Sequence, residues 1–210
     1  MVFFTRCCLL IGVFAFGGGS VEHLHAAPPE PVVRVLVAYH SLTGHTHKMA
    51  KAVAEGARSI PGTIVNLQPV NAISAEQLFA SDALIVGSPV YWGNMAGEVK
   101  AFFDKWQFQF GVFPEFKMRN KIGAAFATGG QRAGGKELTM ITMLAAMLGN
   151  QMIVVSGGGA FGASATTEGD SPGLDEQELA RARALGVRVA EVTWLMKQRH
   201  MVSKDSHTTK

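Results

Sequence analysis

Apolar residues in this chain fall into short unbroken runs, and between the runs they recur at helical spacing. Val32-Val33-Arg34-Val35-Leu36-Val37-Ala38-Tyr39 is a β-branched run bounded by Pro31 and a polar loop, the pattern of a strand covered on both faces. A segment with Met49, Val53 and Ala57 at intervals of four follows, which predicts a helix. Pro61-Gly62 then predicts a turn and Thr63 to Leu67 a short strand. Ser74 to Leu78 predicts one or two helical turns, and Ala83-Leu84-Ile85-Val86-Gly87 a third strand. A helix is expected from Met95 to Trp106, with Met95, Val99, Phe102 and Phe103 on one stripe. Residues 107 to 120 lack a period and read as an aromatic loop, after which Ile122 to Ala127 predicts a fourth strand. A helix over Glu137 to Leu148 leads to a fifth strand, Gln151 to Val155. Ser156 to Gly173 reads as a long glycine-rich loop, of the kind that is functional or disordered in compact domains. The last helix opens at Asp175-Glu176-Gln177-Glu178, a candidate capping box, and buries Leu179, Ala182, Leu185, Val189 and Val192.

Strands that alternate with helices predict an α/β three-layer sandwich around a parallel sheet. Such sheets bind ligands outside the carboxyl ends of their strands. The unusual loops, 41 to 46, 88 to 94, 128 to 135 and 156 to 173, are all expected at that edge.

The chain has 210 residues and 48% hydrophobic composition, enough for one substantial core. The expected organisation is an extension over 1 to 30, one domain over 31 to 200, and a flexible tail over 201 to 210. Before the domain, Arg6 precedes the run CCLLIGVFAFGGG, about half the ~20 residues that a membrane-spanning helix needs. It reads either as a targeting segment or as a non-structural extension, and stable membrane insertion is not expected. The expected location is the cytoplasm, or the periplasm or exterior if the run is a true signal. Ala26-Ala27-Pro28-Pro29-Glu30-Pro31 breaks the chain before the first strand.

Lys plus Arg number 19 against 16 Asp plus Glu, and the alternation Lys117, Arg119, Lys121 is the densest basic cluster, so nucleic-acid binding is not expected. Both cysteines, Cys7 and Cys8, precede the domain, which excludes a domain thiol nucleophile, a thiolate metal site and a disulfide framework. No H-E-x-x-H, paired-carboxylate or G-x-S-x-G arrangement occurs, so metal catalysis and hydrolysis are not expected.

Ser41-Leu42-Thr43-Gly44-His45-Thr46 places three hydroxyls and a glycine between a strand and a helix amino terminus. Ser41, Thr43 and Thr46, with the unpaired amides of the first turn, suit a phosphate, and His45 adds attraction when charged. The bland alternative is an ordinary loop with Ser41 or Thr46 as N-cap. The segment lacks both Gly-Lys-Ser/Thr and G-x-G-x-x-G, which disfavours ATP and a Rossmann-bound nucleotide. Pro89, Val90, Tyr91, Trp92, Gly93 and Asn94 can offer backbone groups to the polar edge of a flat heterocycle while an aromatic shields its face, although Trp92 alone fits a packing role as well. Thr128, Gly129, Gly130 and Gln131 open a loop that either lets rings lie against backbone or is a mobile surface turn.

Residues 31 to 200 resemble flavodoxin-like NAD(P)H:quinone oxidoreductases of the WrbA type. The likeness rests on Ser41 to Thr46 as S/T-x-T-G-x-T and on Gly87-Ser88-Pro89-Val90-Tyr91-Trp92-Gly93-Asn94-Met95 as G-[ST]-P-x-x-x-G-N-M. It rests further on Ala127-Thr128-Gly129-Gly130 with Gly134-Gly135, and on Phe161-Gly162-Ala163-Ser164. The resemblance implies a flavodoxin-like five-stranded parallel sheet in the order 2-1-3-4-5 with helices on both faces. It implies FMN, with its phosphate on 41 to 46, its ring at Val90, Tyr91 and Trp92, and Thr128 to Gly130 along the other side. It also implies a ping-pong transfer of hydride from diffusible NAD(P)H through flavin to a quinone, in a homo-oligomer, dimer or tetramer. One departure bears on catalysis. Where the family has His-His-Gly before the fifth strand, this chain has Leu148-Gly149-Asn150-Gln151, so the only candidate catalytic side chain is Asn150, which cannot carry a charge. The alternative function is a flavodoxin-like electron carrier, or a flavin-binding stress or regulatory protein with little turnover. Flavodoxins tend to be acidic, and this chain is mildly basic.

Overall fold

A computed structural model describes residues 31–167 and 174–205. The expected extension over 1 to 30 lies outside the described residues, as do residues 168 to 173 of the expected loop and 206 to 210 of the expected tail. The elements are β1 (Val33–Tyr39), α1 (His45–Arg58), β2 (Thr63–Pro69), α2 (Ala75–Ala80), β3 (Ala83–Tyr91), β4 (Asn94–Met95), α3 (Gly97–Phe108), β5 (Ile122–Gly129), α4 (Lys136–Gly149), β6 (Ile153–Val154), β7 (Ala163–Thr166) and α5 (Glu176–Asp205). Ser74 caps α2 with Gln77 in a reciprocal capping box. Asp175 and Glu178 do the same for α5, since Asp175 Oδ1 accepts from Glu178 N and Glu178 Oε2 accepts from Asp175 N. No helix among the described residues is long and apolar enough to cross a membrane.

The strands run parallel in the order β2-β1-β3-β5, and β6 and β7 both pair with the far side of β5. This is the expected order 2-1-3-4-5 with the last strand in two pieces. Alternation along β1 sends Val33, Val35 and Val37 to one face and Leu36 and Ala38 to the other. The first set packs under α1 and α5 with Met49, Val53, Leu185 and Val189; the second packs under α2, α3 and α4 with Leu84, Phe102, Trp106 and Met143. On the first face α1 and α5 touch backbone to backbone. A Cβ on Gly186 would stand 2.0 Å from the Val53 carbonyl oxygen, and one on Gly56 the same distance from that of Arg183.

Three boundaries differ from the sequence reading. β3 continues past Gly87 to Tyr91 and folds back into β4, with Val90 opposite Met95 and Tyr91 opposite Asn94. Residues 88 to 94 are therefore a hairpin rather than a loop. The glycine-rich stretch is not one long loop: Ser156 to Gly162 is a short excursion packed under α5, and Ala163–Thr166 returns as β7 beside the upper half of β5. A Cβ on Gly162, whose φ is +135°, would meet the Ala125 carbonyl oxygen at 1.9 Å, so the glycines here serve close packing. α5 runs to Asp205, which carries helix into the stretch expected as a tail.

Gly186→Ala forces α1 and α5 apart. Overpacking of this kind costs about 1–3 kcal/mol, and urea unfolding should show a lower midpoint with an unchanged slope.

Candidate functional site

Three of the four loops expected at the carboxyl edge of the sheet meet there. β1 delivers Ser41 to Thr46, and its pairing with β3 is prolonged by a hydrogen bond from His40 N to the Gly87 carbonyl, 3.1 Å. β3 delivers Pro89 to Asn94, and Pro89 stands opposite Thr128 of β5. The Thr46 and Thr128 hydroxyls are 2.8 Å apart and buried, so the first and third loops are bonded directly. The hairpin and the third loop also touch, because a Cβ on Gly135 would lie 2.9 Å from Gly93 Cα.

The amino terminus of α1 is built for an anion. Its N-cap is Gly44 in the left-handed region, with no side-chain capping bond and no acidic residue in the first turn. Neither Ser41 nor Thr46 caps the helix as the ordinary-loop alternative required. Ser41 Oγ instead accepts from Gly44 N at 3.1 Å, and Thr43 Oγ1 lies 3.0 Å from His45 Nδ1. Among the described residues the first-turn amides thus lack a side-chain acceptor, and Gly44 has open space where a Cβ would be. Ser41 retains its donor proton, and Thr43 retains its own when His45 Nδ1 carries the proton between them. Thr46 is 2% exposed and tied to Thr128, so it joins the two loops while sharing one spare proton with its partner.

The hairpin supplies the flat surface. Trp92 and Gly93, with φ of 51° and 78°, form the two-residue turn between Tyr91 and Asn94, the signature of a type I′ turn. Glycine suits that geometry; tryptophan does not, and the strain costs about 1–3 kcal/mol. The strained side chain projects fully into solvent, as does much of Leu42 and part of Tyr91. The turn is pinned behind: Asn94 Oδ1 accepts from Thr142 Oγ1 at 2.9 Å, and Ser88 Oγ accepts from Ala96 N at 2.9 Å. His40 lies edge-on to Tyr91, with Nε2 3.5 Å from Glu98 and no hydrogen bond of its own. Burial, and then the Glu98 carboxylate, raise the Tyr91 phenol above its usual range, so it stays a neutral donor. His47 stacks flat on Tyr39 at 4.9 Å, a packing role.

In the third loop Thr128 and Gly129 are buried at the end of β5, while Gly130 and Gln131 are exposed. Lys136, which the sequence reading passed over, is buried just below and donates to the Gln131 carbonyl at 2.6 Å. The available signal was a lysine at the first position of a helix, where the dipole disfavours a cation. Asn150 is not at this edge. It follows α4, whose 14 residues span about 21 Å. There it donates to the Ala146 carbonyl at 2.9 Å, next to the start of β5. The residues at the carboxyl edge fit FMN: uncapped amides and free hydroxyls for phosphate, and an exposed aromatic hairpin facing small backbone for the ring.

An open parallel sheet with an uncapped first helix and an aromatic hairpin at the same edge defines a flavodoxin-like flavin-binding protein. A sequence model of the family described as NADPH-dependent FMN reductase matches residues 32–167, and the chain belongs to that family, whose members work with FMN and a nicotinamide donor. It is 33% identical over 195 residues to the NAD(P)H dehydrogenase (quinone) of Archaeoglobus fulgidus, covering 77% of this chain and 97% of that one. It is 32% identical over 160 residues to a flavodoxin of Clostridium saccharobutylicum, covering 75% and 96%. The crystal structure of a flavodoxin, WrbA-like protein from Agrobacterium tumefaciens is similar with a TM-score of 0.65 at 30% identity, covering 77% of this chain and 97% of that one.

Two substitutions separate grip from architecture. Thr43→Val should weaken FMN binding by ~1–3 kcal/mol and leave the apoprotein's unfolding unchanged, whereas Thr46→Val, which strands the buried Thr128 hydroxyl, should also destabilise the apoprotein by a similar amount. Flavin fluorescence titration and thermal unfolding measure the two. Trp92→Asn gives the turn its preferred sequence, and the expected outcome is a gain of about 1 kcal/mol in urea unfolding together with weaker FMN binding.

Proposed function

We propose that the protein is an FMN-dependent oxidoreductase that passes a hydride equivalent from NAD(P)H to quinones in a two-electron ping-pong reaction. The observation that carries this reading is the uncapped start of α1 bonded through Thr46 and Thr128 to the loop opposite the aromatic hairpin. Ser41, Thr43, His45 and the first-turn amides hold the phosphate; Pro89, Val90, Tyr91, Trp92, Gly93 and Asn94 flank the ring, and Thr128, Gly129, Gly130 and Gln131 line its other side. Bound there, FMN supplies the electron acceptor and donor of the reaction. The protein's residues do the rest. The buried Thr46–Thr128 bond fixes the distance between the phosphate loop and the ring loop, and the pinned base of the hairpin keeps its aromatic tip over a fixed place. The exposed surface of Tyr91 and Trp92 leaves one open side that donor and acceptor use in turn, which is the origin of the ping-pong order.

The same proposal includes a homo-oligomer. Leu138, Ile141, Ala145 and Leu148 form an exposed apolar stripe along α4, the helix that holds the hairpin through Thr142. A second copy of the chain covers this stripe, and Asn150, too far from its own chain's flavin edge, acts if at all on the neighbour's.

The test is anaerobic. NADPH alone should bleach the yellow protein, and benzoquinone should restore the colour; steady-state rates should give parallel double-reciprocal lines. Bleaching that needs a separate reductase would make the protein an electron carrier. Ile141→Glu should lower the mass measured by sedimentation, and if the mass is already monomeric in the wild type the oligomer is wrong.

A further inference from the structure

Lys136 is buried in a place that offers a cation little. It is the first residue of α4 and 4% exposed. The start of a helix carries partial positive charge, which repels an ammonium. A buried ammonium persists only when its protons are all hydrogen-bonded. Lys136 Nζ meets that condition: it donates to the carbonyls of Gln131 at 2.6 Å and Arg132 at 3.1 Å, and to Thr166 Oγ1 at 3.1 Å. All three acceptors are neutral, and among the described residues no carboxylate bonds to it. Glu178, the buried carboxylate of this corner, is engaged instead by the main-chain amides of Thr166 and Asp175.

The lysine also lies beside the site. A Cβ on Gly129 would meet Lys136 Cγ at 3.2 Å and Val90 Cγ2 at 3.3 Å, so the lysine stem, Gly129 of the third loop and Val90 of the hairpin surround one point. Because the two loop carbonyls point at the ammonium, the N–H groups of the same peptides, those of Arg132 and Ala133, point away from it. The charge and the loop geometry act in the same direction, towards a ligand whose ring becomes negative.

We propose that Lys136 is a positioning residue of the flavin loop whose buried charge makes the protein hold two-electron-reduced FMN more tightly than oxidised FMN. The proposal rests on the FMN reading above. Hydride transfer from NAD(P)H moves two electrons and one proton to the ring system and releases NAD(P)⁺, so the ring gains one negative charge. Return of the hydride equivalent to a quinone, with one proton from solvent, restores the neutral ring and yields the hydroquinone. Neutral Asn150 cannot balance the intervening charge, and Lys136 can.

The full-length protein with FMN is compared with Lys136→Met and Lys136→Arg, using FMN affinity and the midpoint potential from dye-linked titration. The expected result for Lys136→Met is at least a tenfold greater loss of affinity for reduced than for oxidised FMN, a fall of ~30 mV or more in the two-electron potential. Lys136→Arg keeps the charge and should restore the ratio to within about twofold of the wild type. An equal loss for both redox states would overturn the proposal and leave the lysine a purely structural tie. If Lys136→Met does not fold, the wild type decides. Its potential should fall by ~30 mV per pH unit above neutrality, because one proton accompanies two electrons, and twice that slope would overturn the proposal. A wild-type protein that takes up no FMN would defeat the underlying flavin reading instead, a result distinct from FMN binding with an unmoved potential.

Discussion

Backbone amides at the start of α1 have no side-chain cap among the described residues, and much of the site follows from that shortage. A helix leaves its first amides unpaired unless a side chain caps them, and here the N-cap is a glycine in the left-handed region. Capping by Asp, Asn, Ser or Thr would stabilise the helix by roughly a few tenths of a kcal/mol relative to the glycine present. The chain uses Ser41 one step earlier instead, on Gly44 N, which shapes the loop without filling the first turn. In the proposed reading a doubly negative phosphate supplies the acceptor that this helix end lacks.

The same logic extends across the edge. Trp92 holds a left-handed conformation that a glycine or asparagine would adopt more easily, and its side chain makes no use of the protein interior. Lys136 sits at the end of a helix that repels it, with three hydrogen bonds to compensate. Each is a local disadvantage at the carboxyl edge, whereas the left-handed Phe116, Asn120 and Gln151 lie before and after the lower end of β5. The amino edge of the sheet, by contrast, closes on itself: Asp82 accepts from Arg34 N and pairs with Lys197, and Lys121 fills the carbonyls of Phe79 and Ser81. Burial there lowers the Lys121 pKa, while Asp82 opposes the shift.

The regular elements were legible because their patterns are strong. Val33 to Tyr39 and Ala83 to Gly87 are apolar on both faces, and the helical repeats of Met49, Val53 and Ala57 and of Leu185 and Val189 fix the faces that meet the sheet. The hairpin was not legible, since Trp-Gly is not a turn pair that sequence favours, and Pro89 argues against a continuing strand. It forms because Pro89 lies beyond the last pairing with β1, Tyr39 opposite Gly87, while β5 still runs beside it at Thr128. The split last strand was hidden for a related reason: glycines that usually mark loops are required at 157, 158 and 162 by the close approach of α5 and β5. As for the site, the three loops were recognisable from their hydroxyls and glycines. The bond between Thr46 and Thr128 was not, because residues 82 apart in sequence meet only through the order of the sheet. Asn150 shows the converse limit, in which a family position is recognisable but its distance from the chain's own flavin edge is set by the length of α4.

These observations assign different work to the two halves of the site. In the proposed reading the phosphate half is made of main chain, hydroxyl groups and His45, so its preference for a dianion is shared among several groups. The ring half depends on single residues in unfavourable conformations or locations, Trp92 and Lys136. A flavin held mainly by its phosphate can change charge on its ring without being released, because the groups that bind it are not the groups that respond to reduction. If the proposed cycle holds, separation of grip from response lets a protein with net charge of only +3 retain an anionic cofactor while that cofactor gains and loses a further negative charge.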